Sequence, residues 1–238
     1  MFVNCDIGER GADHPVDVKL MRLIGMANIA CGGHAGDEES VAAFRRLAAE
    51  ENVKISAHLS YPDRDNFGRV TIRISDSELT DSLTRQYSLM PDVTCVKFHG
   101  ALYNDANTDK HLASLLTDWM TRNGIREVVT PFDSELAHAA ENAGIAVLAE
   151  GFAERRYDMN PETGQLTLTP RRYPDSSITD LNEAVRQAKK MTKEGKVSAF
   201  VRTGEKTEIR ECPIRTETIC IHSDSVIAPE LAEALRKC

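Results

Sequence analysis

Five residues of this chain can share chemistry if the fold brings them together: Asp6, His34, His58, His99 and His222. Each stands at or just past the end of a short apolar run that reads as a strand. A carboxylate and imidazoles delivered by separate rigid elements can hold a divalent metal ion or divide acid and base duties. A lone histidine at a strand end is more often an ordinary hydrogen-bonded loop residue, but five in equivalent places shift the balance toward a site. The surrounding segments add to it. Residues 4–9, NCDIGE, bring a second carboxylate, Glu9, after the first strand. Residues 30–37, ACGGHAGD, form a flexible turn into a helix N-terminus, where free N–H groups favour an anionic ligand or where Asp37 serves as a plain cap. Residues 57–63, AHLSYPD, with NFGR at 66–69, make a donor-rich loop carrying Ser60, Tyr61 and Arg69. Residues 97–104, KFHGALYN, put Lys97, His99, Tyr103 and Asn104 on one strand-to-helix turn.

The elements that must position these groups alternate between short strands and longer stretches of helical spacing. Strands are predicted near residues 2–6, 27–31, 53–57, 93–97, 127–130, 146–149 and 218–221. Asp37 caps a helix with Val41, Phe44, Leu47 and Ala48 on one face, and Ser75 with Glu78 forms a capping box. Further helices are predicted at 109–122, after Asp133 as cap, at 179–193 and from Pro229. The pattern predicts an α/β protein, a TIM-like β/α barrel of about seven strands, broken by an excursion above the barrel at 154–174. A hairpin is expected around 203–206. In a closed parallel barrel the C-terminal strand ends meet on one face, so Asp6, His34, His58 and His99 should line one cavity at its mouth.

The 238 residues fit one such barrel, and nothing marks a second domain, so 1–238 reads as a single unit. With 41% hydrophobic and 28% charged residues the chain can bury a real core. A net charge of −8 argues against nucleic acid or an anionic membrane as partner. No apolar run approaches the ~20 residues of a membrane helix, and no export signal is visible. The six cysteines lack CxxC spacing and read as reduced thiols, which points to a cytoplasmic protein.

The runs NCDIGE, ACGGHAGD, AHLSYPD with NFGR, VKFHGALYN, FAERRY and ICIHSD, in that order from residue 4 to 224, resemble the family of 5-oxoprolinase A components, also called the LamB/YcsF or lactam-utilisation family. The resemblance implies a seven-stranded β/α barrel similar to the polysaccharide deacetylases. It also implies a part in the ATP-dependent opening of 5-oxoproline, or a related small lactam, to glutamate together with two partner subunits. On the matched motifs, Asp6, Glu9, His34, His58, Lys97 and His99 are expected to be catalytic. Asp37, Ser60, Tyr61, Arg69, Tyr103, Asn104, Arg155, Tyr157, Arg171, His222 and Asp224 are expected to bind substrate or nucleotide. Gly33, Leu59, Phe98, Ser223 and Arg10 depart from the family's usual pattern, where an aromatic, two prolines and two glycines are common.

Opening an unstrained lactam is difficult because the amide is a poor electrophile and its nitrogen stays tethered, ready to reclose. Phosphorylating the lactam oxygen would activate the carbon, given cations for the phosphate and a base for water. Lys97, Arg69 and Arg155 can supply the cations. The chain has no GxxxxGK[ST], and 204–207, GEKT, lacks the leading glycine and reads as a turn. Two other enzymatic readings compete: a metal-dependent amide hydrolase or deacetylase without ATP, its ion on Asp6, His34 and His58, and nucleophilic catalysis by Cys31. A protein that only binds substrate is the non-enzymatic alternative.

Overall fold

The computed structural model describes residues 1–203 and 206–238. The strands and helices run in the order β1 (Val3–Ile7), α1 (Pro15–Met21), β2 (Met26–Ala30), α2 (Glu38–Glu51), β3 (Lys54–Leu59), α3 (Asp76–Tyr87), β4 (Cys95–Phe98), α4 (Gly100–Ala106) and α5 (Lys110–Arg122). There follow β5 (Glu127–Thr130), α6 (Glu135–Asn142), β6 (Ala146–Phe152), β7 (Tyr157–Met159), β8 (Leu166–Leu168), α7 (Leu181–Lys189), β9 (Lys196–Thr203), β10 (Lys206–Pro213), β11 (Thr218–His222) and α8 (Ala228–Arg236). Seven strands close into a parallel barrel in the order β1-β11-β6-β5-β4-β3-β2, as the βα pattern predicts.

Local chemistry sets the boundaries. Asp37 accepts a hydrogen bond from Ser40 N at 2.8 Å and Ser75 accepts one from Glu78 N at 3.3 Å, each within a reciprocal capping box. The cap of α6 is Ser134, whose Oγ accepts from Ala137 N at 3.0 Å, and not Asp133 as expected. Both residue types cap well, so the sequence alone does not separate neighbours. Two short helices, α1 and α4, leave no clear periodic signal because each spans 7 residues, barely two turns.

The excursion is also larger than expected. Its strands β7 and β8 join β9 and β10 in a four-stranded sheet ordered β10-β9-β7-β8, seated beside the barrel between β6 and β11. The arms of the expected hairpin are β9 and β10, antiparallel with Lys206 opposite Thr203, while Gly204 and Glu205 lie outside the described residues.

Strand alternation splits the core in two. Outward residues such as Cys5, Ile7, Ile29, Val96, Val128 and Ile221 belong to the main core shared with the helices. Inside, a small apolar plug of Met26, Cys95 and Val129, with Leu148 against it, fills the barrel's lower end. Above the plug the interior turns polar. Ser56 donates to Asn28 Oδ1 (2.6 Å), Asn28 to Asn4 Oδ1 (2.8 Å), Asn4 to Thr218 Oγ1 (3.0 Å), and Thr218 to Phe2 O (3.3 Å). This directed chain crosses β3, β2, β1 and β11, and its four side chains are buried. It also supports the site, because Asn28 Nδ2 donates to Asp6 Oδ1 at 2.9 Å.

Candidate active site

Asp6, the first inward residue above the floor, meets Lys97 of β4. Its Oδ1 lies 3.0 Å from the Lys97 ammonium, which is also 2.8 Å from Glu150 Oε1 on β6. Tyr103 donates its hydroxyl to Glu150 Oε2 at 2.9 Å. The three charged groups are almost fully buried, so the cation is fixed between two carboxylates. Burial works against the Lys97 ammonium, but the carboxylates of Asp6 and Glu150 outweigh it and raise its pKa well above the ordinary value. Burial likewise opposes the Asp6 carboxylate, and His58 and Lys97 reverse this and hold its pKa well below the usual range.

Above this pair sit three histidines and Glu9. His58 Nδ1 faces the Lys97 carbonyl at 3.1 Å, and His99 Nε2 faces the Phe67 carbonyl at 3.1 Å. A carbonyl only accepts, so both of these ring nitrogens carry protons. Phe67 is one of two non-glycine residues with positive φ among the described residues, at 55°, a left-handed backbone that places its carbonyl over His99. The remaining nitrogens, His58 Nε2 and His99 Nδ1, are 3.0 Å apart. Around them are Asp6 Oδ2, 3.3 Å from His58, and Glu9 Oε1, 3.5 Å from His99. Four electron-pair donors thus face one another, which requires a shared extra proton or a cation between them. His34 stacks on His99 with centroids 3.7 Å apart and points Nε2 at Glu9 Oε1, 3.0 Å away. Its Nδ1 is buried without a partner. Burial depresses the pKa of both His34 and His99, and in His99 the neighbouring His34 and His58 add to it.

A cleft of about 320 Å³ opens over these groups. Asp6, Glu9, His58, Lys97, His99, Tyr103 and Asn104 form its base, with Arg69, Arg155, Arg171, His222 and Asp224 around the rim. The structure therefore gathers Asp6, His58 and His99 in one cavity, with His34 directly behind His99. Arg69 is paired with Asp224 at 3.0 Å. Arg155 donates to the carbonyls of Thr169 (2.7 Å) and Ser176 (3.2 Å), so it braces the excursion as well as facing the cleft. Burial, with the charge of Arg171 beside it, lowers the Arg155 pKa to about 10.

Four expected binding residues stand elsewhere. Asp37 caps α2, the Ser60 hydroxyl donates to Tyr61 O at 2.8 Å, and the Tyr61 hydroxyl donates to Asp105 at 3.1 Å. Tyr157 faces a second cavity beside the cleft. Cys31 is buried, donates to Ile29 O at 3.1 Å, and has its thiol pKa pushed up to about 12 by burial, all of which argues against the nucleophile reading. Two acidic residues of the site are not among those the sequence singles out: Glu150, which completes the Lys97 pair, and Glu154, which accepts from His222 N at 2.8 Å and orients its ring. Glu150 directly follows the predicted sixth strand, and its place one residue past an apolar run is the available signal.

Two family departures have local causes. A Cβ on Gly33 would lie 2.3 Å from Gln86 Oε1 and 2.4 Å from Ser60 Oγ, so the buried Gln86 occupies the room an aromatic would need. Arg10 pairs with the buried Asp17 and donates to Ser223 O at 3.1 Å, joining two of the departing positions across the mouth. Asp17 also accepts from Gly8 N at 3.1 Å, so it anchors the loop that carries Glu9 from both sides.

The sequence profile of the LamB/YcsF family matches residues 1–238. Among curated relatives, the 5-oxoprolinase A component of Methylococcus capsulatus is 36% identical, over 98% of this chain and 90% of its own. The Bacillus subtilis protein of the same name is 33% identical, over 99% and 91%. A crystal structure of a lactam utilization protein from Thermus thermophilus superposes with a TM-score of 0.81 at 32% identity, covering 100% of this chain and 95% of the other.

Proposed function

The chain belongs to the LamB/YcsF family, and on that footing we propose that it is the A component of a 5-oxoprolinase, opening 5-oxoproline to glutamate with ATP and two partner subunits. The observation that carries this reading is the pairing of a buried, doubly held ammonium with a proton-sharing group of His58, His99 and Glu9 under a rim of arginines. The substrate's carboxylate suits Arg171 or Arg69 at the rim, which leaves the lactam facing the base of the cleft. If its oxygen takes the terminal phosphoryl group of ATP, ADP leaves and the ring carbon becomes open to water. Lys97 stabilises charge on that oxygen. Glu9 or the His58–His99 pair takes the proton from water, the ring nitrogen takes one as the C–N bond breaks to leave a γ-glutamyl phosphate, and a second water hydrolyses that anhydride to glutamate and phosphate. A proton held between two histidines and a carboxylate can serve both demands.

The same group also fits a divalent cation. Glu9, His34, His58 and His99 each offer one ligand atom, all within 4.8 Å of one another, a nitrogen-rich donor set that suits such an ion. A metal held there would polarise a carbonyl or water. This supports the ATP-independent amide hydrolase as a second reading, with Glu9 and His99 in place of Asp6 in the ligand set first expected. Asp6 Oδ1 is instead committed to Lys97 and Asn28, and its Oδ2 faces His58 at 3.3 Å.

The deciding experiment incubates the purified chain, alone and with its partner subunits, with 5-oxoproline and ATP, following glutamate and phosphate together. Stoichiometric release of both supports the proposal. Turnover of amides without nucleotide, lost on chelation, supports the hydrolase instead.

A further inference from the structure

Beside the cleft lies a larger cavity of about 1020 Å³ between the barrel and the four-stranded sheet. Phe132, Met159, Leu166, Cys212 and Ile214 give it an apolar lining, and the amides of Asn107 and Gln165 stand among them. The two cavities share a wall: Tyr103, Asn104, Phe152, Leu168 and Pro170 line both. Tyr157, 5% exposed, accepts from Phe152 N at 2.7 Å, and its own proton has no acceptor among the described residues. Arg215 lies over the Phe132 ring, 4.5 Å from its centroid, a stacked pair of the kind that suits a planar heterocycle.

Charge orients any ligand that spans both. The larger cavity is lined by the carboxylates of Asp133 and Glu150 and a single cation, Arg215, which Glu217 already pairs at 2.9 Å. The cleft sets Arg69, Lys97, Arg155 and Arg171 against Asp6, Glu9 and Asp224. Asp224 pairs Arg69 and Asp6 pairs Lys97, so its cationic excess rests on Arg155, bonded to backbone carbonyls, and on Arg171, which has no carboxylate within ion-pairing distance among the described residues. An anionic end must therefore point to the cleft and an uncharged planar end to the larger cavity. We propose that the two cavities form one bipartite site for a nucleoside triphosphate, its base and ribose in the larger cavity and its terminal phosphates at the arginines of the cleft. This rests on the 5-oxoprolinase reading for the identity of the nucleotide, and it places the phosphoryl donor next to the lactam without a P-loop.

The test uses the full chain with its partner subunits and an azidoadenine analogue of ATP as a photolabel. Label is expected on residues 131–134, 164–168 or 212–215, and unlabelled ATP should suppress it. Leu166→Trp, which fills the larger cavity, should weaken ATP binding about tenfold or more in calorimetry while leaving 5-oxoproline affinity unchanged. Phe132→Ala, which removes the stacking face without adding bulk, serves if the first variant fails to fold. Label elsewhere, no label, or wild-type ATP affinity in the folded variants overturns the proposal. ATP-coupled ring opening with label elsewhere leaves the 5-oxoprolinase reading standing and this one refuted. Label in the cavity without 5-oxoproline turnover does the reverse.

Discussion

Replacing Lys97 with Met should be the most damaging single change to the site's stability. The side chain fits by volume, but its charge disappears from between Asp6, 3.0 Å away, and Glu150, 2.8 Å away, both at most 5% exposed. Removing one partner of a buried pair costs about 3–5 kcal/mol because the other is left uncompensated. At roughly 2–4 °C per kcal/mol for a chain of this size, the melting temperature should fall by about 6–20 °C. Adding Glu150→Gln should restore part of the loss, since one orphaned carboxylate is then gone. The pH dependence gives an independent check. In the wild type Asp6 titrates below its unfolded value, so it contributes stability above about pH 4 that is lost as pH falls through the folded value. Without Lys97 the Asp6 carboxyl holds a proton more readily in the folded state, so the variant's deficit should narrow on acidification. Denaturant titrations of both proteins at pH 7, 6 and 5 measure this. A deficit under about 1 kcal/mol at neutral pH, or one that stays flat, would refute the reasoning that this lysine is held by two charged carboxylates.

Asp37→Ala should cost about 1 kcal/mol at pH 7 with unchanged KM, as loss of an N-cap; because the cap depresses the carboxyl pKa, its contribution is present above the unfolded value and vanishes at lower pH. A raised KM would return Asp37 to the binding site. Arg155→Ala should lower stability by about 1–3 kcal/mol, since it orphans the Thr169 carbonyl and leaves Ser176 O with Arg156 N alone, whereas Arg171→Ala should raise KM alone. Parallel melting curves and kinetics separate the two. Cys31→Ala should retain turnover, checked by assay before and after treatment with a thiol reagent. Zinc binding measured by calorimetry should be lost in His99→Gln and kept in Asp6→Asn, and the opposite result would restore the ligand set of Asp6, His34 and His58.

The barrel is legible in the sequence because its strands and helices keep separate periods, and Asp6, His58 and His99 each follow a recognisable apolar run. Lys97 is legible for the same reason, but its partner is not. Glu150 reads as an ordinary polar residue after a strand until the barrel sets β6 two strands from β4, with both side chains turned inward. Asp37 and Ser60 show the converse. They match a motif, yet a capping box and a backbone contact account for them. The second cavity is hidden because β7 pairs with β9 in parallel, and their partner residues are about forty positions apart, beyond any local pattern.

The donor chain Ser56–Asn28–Asn4–Thr218 across the barrel floor has a consequence for how such an interior can diverge. Each side chain gives a hydrogen to the next and, Ser56 apart, receives one from the last, so a single exchange for an apolar residue strands a buried amide or hydroxyl on either side. An apolar interior drifts one methylene at a time. This one must change in pairs or stay, and a mutational path through it crosses intermediates less stable than either end.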